Sequence, residues 1–163
     1  MKLNQLYIKL SFIAFLIILL LPGVTLAQFQ PQNTEELQTA VDMWVDDNAT
    51  ALDIYGEINT WDVSLITDMT ELFKDKTTFN DDISNWNVSS VTDMVYMFTN
   101  ASSFNQALSS WDVSSVTSMG YMFYSASSFN GDISDWNVSN VTNMAYMFSS
   151  ASSFDQALSS WDV

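Results

Sequence analysis

FNDDISNWNVSSVTDMVYMFTNASSF, residues 79–104, is followed at once by a variant of itself, FNQALSSWDVSSVTSMGYMFYSASSF, residues 104–129. Extending the comparison in both directions aligns Trp61, Trp86, Trp111, Trp136 and Trp161 at a constant step of 25 residues. Met69, Met94, Met119 and Met144 fall in a second column, and Phe73, Phe98, Phe123 and Phe148 in a third. Phe79, Phe104, Phe129 and Phe154 form a fourth. A fixed period of this length marks stacked units, each too small to bury its apolar face alone. The stretch 80–104 matches 130–154 more closely than it matches 105–129, which points to duplication of a two-repeat block.

Within one unit, residues 82–88 are short, bounded by polar positions and without helical spacing, which predicts a strand. Val91, Met94, Met97, Phe98 and Ala101 recur at three- and four-residue steps, which predicts a short helix with Thr92 as its cap and Asp93 in its first turn. The expected fold is therefore an α/β repeat solenoid with short parallel strands plus short helices. The strands would stack about 4.8 Å apart, laying like side chains over one another. Ahead of the array, Leu37, Ala40, Val41, Trp44 and Val45 trace one apolar helical face, with Asn33 or Thr34 as cap and Glu35 and Glu36 in the first turn. A second short helix near 49–55 would end at Gly56.

Three segments follow from this reading. Residues 1–27 combine Lys2 and Lys9, an apolar run over 10–21, Pro22-Gly23 and the small residues Thr25 and Ala27, the pattern of a secretory signal peptide cut before Gln28. Residues 28–56 form a helical N-terminal cap, and 57–163 a solenoid of 25-residue repeats. Its C-terminal end would be uncapped or truncated, an open coil that invites end-to-end self-association.

The full chain carries a net charge of −15 at pH 7, and removal of 1–27 would leave only Lys74 and Lys76 against 19 acidic residues. Such a charge keeps an array soluble and repels nucleic acid and anionic membranes. With the signal removed, no stable membrane span is expected. Cysteine and histidine are absent, and the four basic residues are all lysine, so thiol nucleophiles, His-based triads and arginine clamps are excluded. Asp81 with Asp82, and Asp132 with Asp135, are the nearest carboxylate pairs, but they share no column and read as solvated charge. Neither the EF-hand spacing nor the glycine-rich calcium nonapeptide occurs. The expectation is a non-enzyme with no cofactor and no metal.

The pattern W-(D/N)-V-S-x-V-T-x-M-x-x-M-F-x-x-A-S-S-F-N, read over 86–105 and again over 111–130, resembles the BspA-type leucine-rich-repeat surface proteins, whose repeat is also described as the mycoplasma-lipoprotein type. Ala40-Val41-Asp42-Met43-Trp44 and Tyr55-Gly56-Glu57-Ile58 resemble the usual lead-in to those repeats. The resemblance implies a leucine-rich-repeat-like, right-handed coil that is secreted or displayed at the cell surface, with adhesion or ligand binding as its role and no common enzymatic activity. Lipid-anchored members carry a cysteine after the signal; this chain does not.

Candidate sites follow. The tryptophan column, Trp61 to Trp161, reads as a buried structural ladder and the methionines as core filler. Tyr96, Tyr121 and Tyr146 share a column with Glu71, and a position that accepts glutamate is expected at the surface, where stacked phenols could form an interaction stripe. Sequons stand at Asn48, Asn87, Asn100, Asn137 and Asn140; Asn48 and Asn100 are the favoured glycosylation acceptors, since Asn87 and Asn137 directly follow the tryptophans. The function expected is non-enzymatic presentation of a repeat surface to an unknown extracellular protein or glycan. The alternative is a structural or solvent-facing protein, such as an ice binder, that uses the Thr67, Thr92, Thr117 and Thr142 column.

Overall fold

The computed structural model describes residues 28–162. The segment read as a signal peptide lies outside the described residues, as does Val163. Two helices open the described chain: α1 (Thr34–Asp46) and α2 (Asn48–Tyr55), followed by a 3-10 turn at Ile58–Thr60. Asn33 closes the start of α1 by accepting the Glu36 N–H, and Asp47 does the same for α2 through Thr50. Gly56, at φ 71°, ends α2 in a conformation that a Cβ would strain. Leu37, Ala40, Val41 and Trp44 form the buried face of α1, and Trp44 meets Trp61 edge-on at 5.8 Å.

Beyond Thr60 the chain makes layers of 25 residues, marked by isolated parallel bridges Asp68–Asp93, Asp93–Ser118 and Ser118–Asn143. No strand and no further helix occur among the described residues. The α/β repeat solenoid of leucine-rich-repeat type, with short parallel strands plus short helices, is thereby overturned. Residues 82–88 hold a tight turn, in which the Trp86 N–H donates to the Ile83 carbonyl, rather than a strand. Residues 91–101 are a run of turns rather than a helix.

The backbone hydrogen bonds show why. In the layer starting at Asp93, the N–H groups of Met94, Tyr96, Phe98 and Asn100 donate to Ser118, Gly120, Met122 and Tyr124 of the next layer at 2.8–3.0 Å. The intervening N–H groups of Met97, Thr99 and Ala101 donate three residues back, to Met94, Tyr96 and Phe98. Every second amide is spent between layers, so an i to i−4 helical ladder cannot propagate. Two residues per layer adopt positive φ to allow this: Glu71 and Asp75, Tyr96 and Asn100, Tyr121 and Ser125, Tyr146 and Ser150, all between 55° and 62°. Thr92 is likewise no helix cap, since both its N–H and its hydroxyl donate to the Thr67 carbonyl of the layer before.

Aromatic columns fill the interior. Phe73, Phe98 and Phe123 lie parallel at 5.2 and 5.4 Å, and each also stacks within its own layer on Phe79, Phe104 or Phe129 at 4.2, 4.2 and 3.9 Å. Phe98 and Phe104 are fully buried, which stabilises the fold by up to about 3 kcal/mol per ring. Trp61 stacks on Trp86 at 6.2 Å, Trp111 on Trp136 at 6.5 Å, and Trp136 on Trp161 at 6.3 Å. Each indole N–H from Trp86 onward donates to a carbonyl of the preceding layer: Ile58, Ile83, Leu108 and Ile133 in turn.

The layers alternate in how they touch. Gln106 reaches back with its amide to the Asn80 carbonyl at 2.7 Å, and Gln156 repeats this on Asn130 at 2.9 Å. Between them the same column holds Gly131, where a Cβ would sit 2.2 Å from the Gln106 carbonyl oxygen. Side-chain bridging and direct backbone approach thus take turns along the stack.

Candidate functional site

The left-handed backbone at the first of the two positive-φ positions carries the column Glu71, Tyr96, Tyr121 and Tyr146. Tyr96 stacks on Tyr121 at 4.9 Å and Tyr121 on Tyr146 at 5.0 Å, with interplanar angles of 21° and 22°. Tyr96 and Tyr121 are half-buried and Tyr146 is exposed. Tyr121 has both faces covered, by Tyr96 and Tyr146, so it offers solvent its edge and hydroxyl. Among the described residues, none of these three hydroxyls makes a hydrogen bond. The Tyr121 phenol is held above its usual pKa, first by desolvation and then by the neighbouring Tyr96, Tyr146 and Tyr124.

At the end nearest the helices the stripe turns from aromatic to charged. Lys74 pairs with Glu71 at 2.6 Å and lies 5.4 Å from the Tyr96 ring centroid, a cation-π distance. The hydrogen bond to Glu71 raises the Lys74 pKa. Tyr124 flanks the stripe, tilted against Tyr121 at 5.7 Å. Tyr124 and Lys74 are not legible as site residues in the sequence, since their column reads Lys74, Thr99, Tyr124, Ser149 and has no common chemistry.

The other candidates are placed apart from the stripe or are spent on structure. The tryptophans from Trp61 to Trp136 are buried, and Trp161 is half-buried with its indole on Ile133. Asn48 is exposed at the start of α2. Asn100 is half-buried, and its amide donates to Asp75 at 2.6 Å, so its nitrogen is already engaged. Asn140 is engaged in the same way on the Ser114 carbonyl. Asn87 and Asn137 are exposed and use only their oxygens, in turns closed on Ser89 and Ser139. The hydroxyls of Thr92, Thr117 and Thr142 each donate to the threonine carbonyl of the preceding layer at 3.1 Å, which fixes their rotamers.

Carboxylates follow the same pattern of structural use. Asp81 accepts the Trp44 indole N–H at 2.9 Å, and Asp82 accepts Asn59 and the Ser84 N–H. Asp62 and Asp112 are held below the ordinary carboxylate pKa by Ser64 and Ser114, hydroxyl first and backbone N–H second. Asp132 is lowered by the Ser134 N–H and then its hydroxyl, and Asp47 by the Thr50 hydroxyl and N–H. No group of three or more acidic residues is set for a metal among the described residues, and no helix there is long and apolar enough to cross a membrane.

Neither the curated proteins nor the solved structures give a match to this chain. A family model described as "Mycoplasma protein of unknown function, DUF285" matches residues 35–161, which takes in α1, α2 and the stacked layers, and the protein belongs to that family.

Proposed function

We propose that this protein is a non-enzymatic interaction module of the BspA-like kind, secreted or held at the cell surface, which engages an extracellular protein or glycan through the Tyr96–Tyr121–Tyr146 stripe. The observation that carries the reading is the row of phenol rings stacked 4.9 and 5.0 Å apart, with their hydroxyls unpartnered among the described residues. Tyrosine gives a large amphipathic contact at small conformational cost, and here the stack has already ordered the rings. The signal-like residues 1–27 and the lack of histidine and cysteine support export and a binding role.

The test is a triple Tyr→Ser variant at 96, 121 and 146, checked for an unchanged far-ultraviolet circular dichroism spectrum and screened beside the parent on extracellular-matrix proteins and glycans. Binding by the parent and a loss of about tenfold or more in the variant is expected, since clustered aromatic contacts dominate interfaces. Equal binding by the two proteins would refute the assignment of the stripe.

A further inference from the structure

Resting on that reading, we propose that the stripe takes a neutral, linear, β-1,4-linked glycan lying parallel to the stack, with one sugar to each layer. Three features point there.

The first is pitch. Phenol rings recur 4.9 and 5.0 Å apart, in a column set by the backbone ladder. An extended polypeptide rises about 3.3 Å per residue, so its like-facing side chains fall about 6.6 Å apart and drift out of step within two layers. A polyproline helix, at about 3.1 Å per residue and three residues per turn, brings like faces round about every 9.3 Å and so meets only every second layer. A β-1,4-linked pyranose chain is extended and advances by close to one layer per sugar; successive units are turned over, but each carries hydroxyls on both edges, so every layer meets one. An α-1,4-linked chain coils and cannot.

The second is charge. From residue 94 to 131 the chain holds a single carboxylate, Asp112, and no basic residue. The stripe's neighbours there are Thr99, Tyr124, Asn100, Ser125 and Gly120, which are polar or small without charge. At the helix end Lys74 is paired with Glu71, which leaves Asp75 and Asp93 in excess to repel a polyanion. A neutral polymer rich in hydroxyls fits such a surface, whereas nucleic acid and sulphated or uronic glycans do not.

The third is which part of each ring is free. Face-on sugar stacking needs an uncovered aromatic face, and Tyr121 has Tyr96 on one side and Tyr146 on the other. Recognition therefore runs through edges and hydroxyls, one hydrogen bond per layer. No single layer binds tightly, and affinity accumulates with length.

Calorimetric titration of the parent with cello- and chito-oligosaccharides of one to six units tests this, with malto-oligosaccharides as the α-linked series. The expected result is affinity that climbs with each unit to about three or four sugars and then levels, with no binding of the α-linked series. Tyr121→Phe, which keeps the ring stack and removes one hydroxyl, is expected to weaken binding of the tetramer about fivefold, the loss of one hydrogen bond. Affinity independent of length, equal binding of the α-linked series, or a Phe variant indistinguishable from the parent would overturn the proposal. If no oligosaccharide binds while the triple serine variant still loses a matrix protein, the glycan assignment fails and the interaction stripe stands. If the triple serine variant keeps every ligand, both fail together.

Discussion

Replacing Gly131 by alanine adds a single methyl group, and the structure says where it goes. The new Cβ would lie 2.2 Å from the carbonyl oxygen of Gln106, 3.1 Å from its carbon and 3.0 Å from the Phe129 ring. A relaxed carbon to carbonyl-oxygen contact is about 3.3 Å or more, so two backbone segments must part by roughly 1 Å. Both are pinned: Asn130 donates to the Asn105 side chain at 2.8 Å and Leu108 donates to Asp132 at 3.3 Å. Losing these two bonds costs about 1 kcal/mol each, and overpacking adds about 1–3 kcal/mol. The expected loss is therefore about 3–5 kcal/mol in urea denaturation followed by circular dichroism. Gly120→Ala is the control, because its Cβ would meet only the Asn143 side-chain amide, at 2.9 Å, which can swing aside. It should cost less than about 1 kcal/mol. Comparable losses for the two variants, or a loss below about 1 kcal/mol for Gly131→Ala, would show that the layers do not pack through direct backbone contact at this column.

Other substitutions probe the remaining features. Trp86→Phe removes the indole donor from the buried Ile58 carbonyl, which keeps the Trp61 N–H, and should lower stability by about 1–2 kcal/mol, read from the urea midpoint at constant slope. Ser125→Gly relieves a left-handed residue, φ 55°, without touching its N–H bond to Ser149; thermal unfolding should show a gain of up to about 1 kcal/mol. Because the folded-state pKa values of Asp47, Asp62, Asp112 and Asp132 lie below the ordinary 3.8, their stabilisation is complete above that value and is lost as pH falls through the lower folded values. The melting temperature should thus be level above about pH 5 and fall on further acidification. Asp112→Asn should flatten part of that fall, since Asn87 and Asn137 already close the same turn in neighbouring layers.

The repeat period and the columns were open to reading because buried aromatic positions tolerate few alternatives: Phe73, Phe98 and Phe123 must each present a flat ring to the next. The local conformation was not. Val91, Met94, Met97, Phe98 and Ala101 keep helical spacing because successive three-residue turns return the chain to the core at nearly the same intervals as a helix. The distinguishing trace was faint. Asp75, Asn100, Ser125 and Ser150 form a column of residues that includes the types most tolerant of positive φ, but the companion column holds glutamate and tyrosine, which carry no such signal. Likewise, Ile83, Trp86 and Val88 suggested a strand because nothing in their types reveals that Trp86 closes a turn on Ile83. Among the site residues, Glu71 drew attention to the tyrosine column, yet its stacking geometry depends on left-handed backbone that the sequence conceals. The sequons carry no trace of local engagement: Asn100 satisfies the motif and its nitrogen donates to Asp75, whereas Asn48 is exposed.

The alternation of Gln106, Gly131 and Gln156 has a bearing on how such a gene can grow. A glutamine layer bridges to the layer before it by its side chain and a glycine layer by direct backbone approach, so the smallest length that can be copied in tandem with both contacts kept is a pair of layers. Slippage by one repeat would set unlike surfaces together and be weeded out as unstable, whereas slippage by two would pass unnoticed by folding. Paralogous arrays built on this plan should differ in size by even numbers of repeats.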